Sequence, residues 1–391
     1  MIETASLPFW PLLAAALAFL LPWAVALLVG DAQHSGPRAL AQATVLAVAA
    51  YAATGFALHF GGIGILIDHP DVDALVWEWT PLKQGDLTHW GVAGWMGFGL
   101  ARAQTPLAAQ LLLSTLPGVA AVILLIERSL AQHLAAWPRA LVALLMAATL
   151  LPLAGNWTQA GGWLMHLGAS LGAGEGFLDF GGASFFLLAG GTALAALLAR
   201  NGPESALPHA ASPTGVIALV AGGIGWLLAS PLHWWDITSP AVCVLNSLLA
   251  LAAGGFIGWL YNLSAAHTHT ERWLARGAAA GWIASLAALP WLNAWQAMLT
   301  GAVAAWLYIL TAWGLAALHR HDVSDIFAAF GVPAMWSLLA VGFFAPMPGQ
   351  FKAQLIGLIT LFLLSFFAVS LLLLLYQGIS RLISTQPPST T

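Results

Sequence analysis

The chain has 391 residues, of which 60% are hydrophobic and only 7% are Asp, Glu, Lys or Arg. A soluble domain carries about 25% charged residues, so this composition excludes a water-soluble globular protein and implies a polytopic membrane protein. The net charge of −4 argues against nucleic acid or an anionic lipid surface as the main partner, and the single cysteine, Cys243, excludes an internal disulfide.

Apolar runs long enough to cross a bilayer, about 17–25 residues each, number roughly eleven. They are Leu7–Val29, Ala39–Phe60, Leu107–Ile126, Ala140–Gly155, Phe180–Leu198, Thr214–Ala229, Pro240–Tyr261, Gly277–Leu289, Ala294–Leu318, Ile326–Phe344 and Leu355–Ile379. The first lacks a preceding basic residue and a small-residue cleavage site, so it reads as a retained span rather than a cleaved leader. The stretch Val92–Leu100 is apolar but too short to cross, and reads as an interface segment leading into the third span. The polar insertion from Ile67 to Trp90 carries Asp68, Asp71, Asp73, Glu78 and Asp86 against Lys83, and reads as a solvated loop. Residues 385–391 form a short polar tail.

The basic residues orient the chain. The loops after odd-numbered spans, with the C-terminal end, hold Arg38, Arg128, Arg139, Arg200, Arg272, Arg276, Arg320 and Arg381; the other side holds Lys83, Arg102 and Lys352. This places the N-terminus outside and the C-terminus in the cytoplasm, which an odd number of spans requires. Asp179 opens the fifth span and Asp325 the tenth, each followed by an aromatic and small residues. The fold class is therefore all-α, with about eleven membrane helices arranged as an inverted 5+5 repeat plus a C-terminal helix. The halves are about 7–199 and 213–346, with the extra helix at about 353–381, all within one domain of residues 1–384.

Several polar residues invite a functional reading. Asp179 sits where its carboxylate can accept from the free first-turn N–H groups of the fifth span, and Asp325 is read alike for the tenth. The run Gly181, Gly182, Ala183 and Ser184 would admit a neighbouring helix closely. His59 reads as an interface residue ending the second span, and Asn246 and Ser247 as interhelical hydrogen-bonding groups in the seventh. His267, His269 and Glu271, and His319, His321 and Asp322, lack further ligands at tight spacing, so no metal and no cofactor is expected. There is no nucleophile elbow, phosphate loop or carboxylate pair in register, so an enzyme is not expected.

Local runs then carry a resemblance. Gly55-Phe56-Ala57-Leu58-His59-Phe60-Gly61, Glu127-Arg128, Gly161-Gly162-Trp163-Leu164, Asp179-Phe180-Gly181-Gly182, Gly225-Trp226, Asp325-Ile326-Phe327 and Gly331-Val332-Pro333 stand in order along nearly the whole chain. Together they resemble the ammonium transporter, methylammonium permease and Rhesus (Amt/Mep/Rh) family. The resemblance implies eleven spans, a homotrimer in the cell membrane, and a pore inside each subunit for ammonia or ammonium. It also implies twin pore histidines, and here those positions are Leu187 and Phe330. The family's gating phenylalanines align with Leu113 and Ala229. The tryptophan of its outer vestibule aligns with Gln159, with His233 and Trp235 in the loop nearby. No family-type regulatory C-terminal motif is present, so no nitrogen-sensing partner is expected at that tail. The expected function is conduction of a small solute of the ammonia class through an unusually apolar pore. The alternatives are a carbon dioxide channel and a non-conducting sensor or scaffold.

Overall fold

The protein is described as a computed structural model that covers residues 9–30, 36–60, 78–79, 91–95, 97–101, 105–199, 211–231, 238–265, 270–320 and 322–384. Among the described residues, eight helices are long and apolar enough to cross a membrane. We label them, with three shorter ones, in chain order: α1 (Trp10–Leu28), α2 (Pro37–His59), α3 (Pro106–Leu130), α4 (Ala136–Gln159), α5 (Ala183–Ala199), α6 (Thr214–Ala229), α7 (Pro240–Ser264), α8 (Thr270–Ser285), α9 (Ala294–Ala317), α10 (Phe327–Phe344) and α11 (Gln350–Ser380). Each corresponds to one of the apolar runs.

Local chemistry sets several ends. Thr105 accepts from the Ala108 N–H, with Pro106 in the first turn of α3. Asn293 and Gln296 form a reciprocal capping box on α9. Three helices widen into a π turn: α2 at Tyr51–Gly55, α4 at Met146–Leu150 and α10 at Phe327–Gly331. Such turns disturb the regular backbone ladder. Thr54 on the α2 turn donates to the carbonyl of Ala148 on the α4 turn at 2.7 Å, which ties the two together.

α5 is apolar and buried nearly all round, the signature of a central helix. It packs against α3, α10 and α11, while α1 pairs with α6 and α7, α8 and α9 pack together. The start of α11 fixes the loop leading into α5: Gln350 and Gln354 donate to the carbonyls of Gly176 and Leu178, at 2.8 and 3.0 Å.

The structure refines three sequence expectations. α8 begins at Thr270, so Arg272 and Arg276 are helical residues rather than loop charges. The segment Val92–Leu100 includes extended backbone: Ala93–Gly94 pairs antiparallel with Glu78–Trp79, and Trp157 donates to the Val92 carbonyl at 2.7 Å. Phe180 and Gly181 meet the 3-10 turn Leu286–Trp291 that follows α8, with the Gly181 N–H donating to the Leu286 carbonyl at 3.0 Å, while Gly182 meets Trp226 of α6.

Candidate functional site

The site grows from the two chain reversals that start α5 and α10. Asp179 is 6% exposed and accepts from the N–H groups of Ala183 and Ser184, both at 2.8 Å. Burial raises its carboxyl above the ordinary range against these hydrogen bonds. At the start of α10 the same part is taken by Asp322, which accepts from Phe327 and Ala328 at 3.1 and 2.7 Å. Burial first, then the neighbouring Asp325 carboxylate, push Asp322 up to about 7.

Asp325 has a different role from the helix cap that its position suggests. Its carboxylate takes both Arg272 and Arg276 as ion partners, and the Tyr308 hydroxyl donates to it at 3.0 Å. Arg276 is fully buried and also donates to the Leu28 carbonyl at 3.1 Å, so the cluster joins α8, α9 and the C-terminal end of α1. Burial works to raise the Asp325 carboxyl, but the guanidinium groups of Arg276 and Arg272 outweigh it and hold it well below the usual range. Ser324 and Asp325 both sit in left-handed backbone, at φ +55° and +54°. That conformation costs about 1–3 kcal/mol per residue and persists only where contacts fix it, as the two arginines do here.

The reassignment aligns the halves. Leu187 lies eight residues after Asp179, and Phe330 lies eight after Asp322. Both side chains are buried, at 0% and 1% exposure. One turn beyond Leu187, α5 touches α10 backbone to backbone. A Cβ at Gly190 would lie 2.5 Å from the Gly331 Cα, and a Cβ at Gly331 2.6 Å from the Gly190 Cα. Phe185 meets Trp226 edge-on, and Phe186 meets Trp282 likewise. Leu187 and Phe330 thus flank a tight, apolar crossing at the centre of the bundle.

Toward the Asp179 end, Trp226 donates to the Gly181 carbonyl at 2.8 Å. Half-buried Gln159 stands over Gly182, where a Cβ would lie 3.4 Å from the Gln159 amide nitrogen. His233 and Trp235 lie outside the described residues, as do the Ile67–Trp90 acidic residues other than Glu78, and His267, His269 and His321. Leu113 on α3 is 36% exposed, whereas Gln110, Leu111 and Ser114 of the same stretch are buried. Ala229 is buried against Ala14 and Ala15 of α1, and its carbonyl accepts from Gln110 at 3.4 Å. Asn246 reaches across to the Leu292 carbonyl at 2.6 Å, and Ser247 bonds within its own helix.

His59 is not an interface residue. It is 1% exposed, stacked on Phe60 at 4.2 Å, and seated over Gly155, where a Cβ would lie 2.4 Å from its ring. Its Nδ1 shares a 3.0 Å hydrogen bond with the Tyr51 hydroxyl. The sequence signal that could have placed it is the smallness of Gly155 on α4.

The comparisons with known proteins agree with this architecture. The chain is 29% identical to the ammonium transporter Amt2 of Archaeoglobus fulgidus over 219 residues, which is 51% of this chain and 46% of that protein. The match thus spans about half the length of that curated relative. The crystal structure of Candida albicans Mep2 superposes with a TM-score of 0.76 at 20% identity, covering 95% of this chain and 84% of that one. A solved sensor Amt protein gives the same TM-score at 19% identity, covering 95% and 93%. At such identities the likeness is one of fold. A sequence profile described as the Ammonium Transporter Family matches residues 9–385. Because that match runs through every helix from α1 to α11, the chain belongs to the ammonium transporter family.

Proposed function

We propose that this protein is a membrane channel for a small solute of the ammonia class, conducted through a path within each subunit, and that the solute crosses uncharged. One observation carries the reading: Leu187 and Phe330 are fully buried beside the central α5–α10 crossing. Neither side chain can donate, accept or relay a proton. A bare ammonium ion in such surroundings costs several kcal/mol or more, whereas ammonia carries no charge to desolvate. Family membership supports the rest of the reading: a homotrimer, an outer mouth near Gln159, His233 and Trp235, and further pore-facing roles for Leu113 and Ala229. The asymmetry of basic residues supports an outside N-terminus and a cytoplasmic C-terminus.

The same two residues favour a second reading, a conduit for carbon dioxide, because that solute needs no hydrogen-bond partner along its path. Stopped-flow measurements on proteoliposomes with an internal pH dye test both. Ammonia entry alkalinises the lumen, and the expected result is faster alkalinisation than in protein-free vesicles, with no ammonium-evoked current. Faster acidification with carbon dioxide alone would transfer the reading to the second solute. A saturable ammonium current would refute uncharged passage, and the absence of both fluxes would refute conduction.

A further inference from the structure

We propose that a cavity between the ends of α1, α2, α3 and α4 binds a phosphate-bearing anion, supplied by an anionic phospholipid head group or by free phosphate. The cavity has a volume of about 340 Å³. Its charged wall consists of Arg38 at the start of α2, Glu127 and Arg128 near the end of α3, and Arg139 near the start of α4. Gln42 completes the polar lining, and the rest is alanine, valine and leucine.

The charges do not balance within the cavity. Among the described residues that line it, Glu127 is the sole carboxylate, and it already accepts from the Gln42 amide at 2.8 Å. Arg128 donates to the Ser324 hydroxyl at 3.1 Å, which fixes its direction. Among the described residues, neither the Arg38 nor the Arg139 side chain has an ion-pair or hydrogen-bond partner. Arg38 and Arg139 therefore bring two guanidinium groups without a side-chain partner to a cavity whose described carboxylate is already engaged, although the chain as a whole is net negative.

Guanidinium groups match phosphate oxygens with paired N–H donors. Their position also fits: α1 and α3 end here while α2 and α4 begin, so the cavity lies at one end of the bundle, the level of lipid head groups. Arg38 is exposed and Arg139 half-buried, so the anion has an open approach. The apolar part of the wall suits the glycerol end of a phospholipid.

The test uses the full-length protein in neutral detergent. Native mass spectrometry counts bound phosphatidylglycerol against phosphatidylcholine, and thermal melts are run with and without inorganic phosphate. The variants are Arg38→Gln/Arg139→Gln and Glu127→Gln. If a lipid head group is the occupant, phosphatidylglycerol binds in preference to phosphatidylcholine. The arginine variant then weakens it by about fivefold per charge removed, the worth of one basic side chain at an anionic surface. If free phosphate is the occupant, phosphate raises the melting temperature, competes with the lipid, and loses its effect in the arginine variant. In either case Glu127→Gln, which removes the one negative charge, tightens binding. Equal binding of both lipids with no phosphate effect would overturn the proposal, as would an arginine variant that is folded and monodisperse yet binds anions like the wild type.

Discussion

The α5–α10 crossing can be probed with a single methyl group. Gly190→Ala and Gly331→Ala each insert a Cβ that would lie 2.5–2.6 Å from a Cα of the opposite helix. Carbon atoms rest at about 3.5–4.0 Å, so the two helices must part by about 1 Å or the seam must deform. Overpacking of this kind typically costs about 1–3 kcal/mol, and alanine's better helix propensity returns up to about 1 kcal/mol. We expect a net loss of about 1–2 kcal/mol for each variant. The double variant should cost less than the sum, because one displacement relieves both contacts. Gly314→Ala and Gly378→Ala are the controls: both glycines lie in helices with nothing within 4 Å of an added Cβ. They should be neutral or slightly stabilising. Denaturation in detergent reads the stability, and the vesicle flux assay reads whether Leu187 and Phe330 keep their places. If Gly331→Ala melts with the controls and conducts normally, α5 and α10 do not meet at this point, and the placement of the central pair fails with it.

Other predictions concern the charged reversals. Asp325→Asn leaves Arg276, which is fully buried, and Arg272 without their carboxylate. Breaking a buried pair costs about 3–5 kcal/mol, so a large fall in the denaturation midpoint is expected; an unchanged midpoint would contradict the buried cluster. Asp322 titrates near 7 in the folded protein against an ordinary value of 3.8. The folded state therefore holds a proton that the unfolded chain releases, and this contribution to stability is lost as pH rises from about 4 to about 7. Asp322→Asn, which cannot ionise, should flatten that part of the pH–stability curve; a slope equal to wild type would show that Asp322 is not the group responsible. Asp179→Ala and Asp322→Ala each strip two first-turn N–H groups of their acceptor. Their costs should be alike and at least the roughly 1–2 kcal/mol of a lost cap, and a large disparity would argue against equivalent roles in the two halves.

Composition and spacing alone determined the all-helical membrane fold and the order of its apolar helices, because a bilayer demands an apolar run of about 20 residues for each crossing. They also determined the cap at Asp179, whose partners Ala183 and Ser184 are near neighbours in the chain. The family was legible for a similar reason: short ordered runs such as Asp179-Phe180-Gly181-Gly182 are linear signals. What the sequence could not rank was Asp322 against Asp325, three residues apart in one turn. Their roles are set by Arg272, Arg276 and Tyr308, which arrive from α8 and α9. Likewise the two arginines look like loop charges until a distant carboxylate makes their burial tolerable. His59 looks like an interface residue until Gly155 of α4 opens a slot for its ring. Only packing decided that Gly190 and Gly331 touch and that Arg38, Arg128 and Arg139 share one cavity. Hydrophobic length and local capping are properties of a segment, whereas ion pairing and close backbone approach depend on residues that only the assembled bundle brings together.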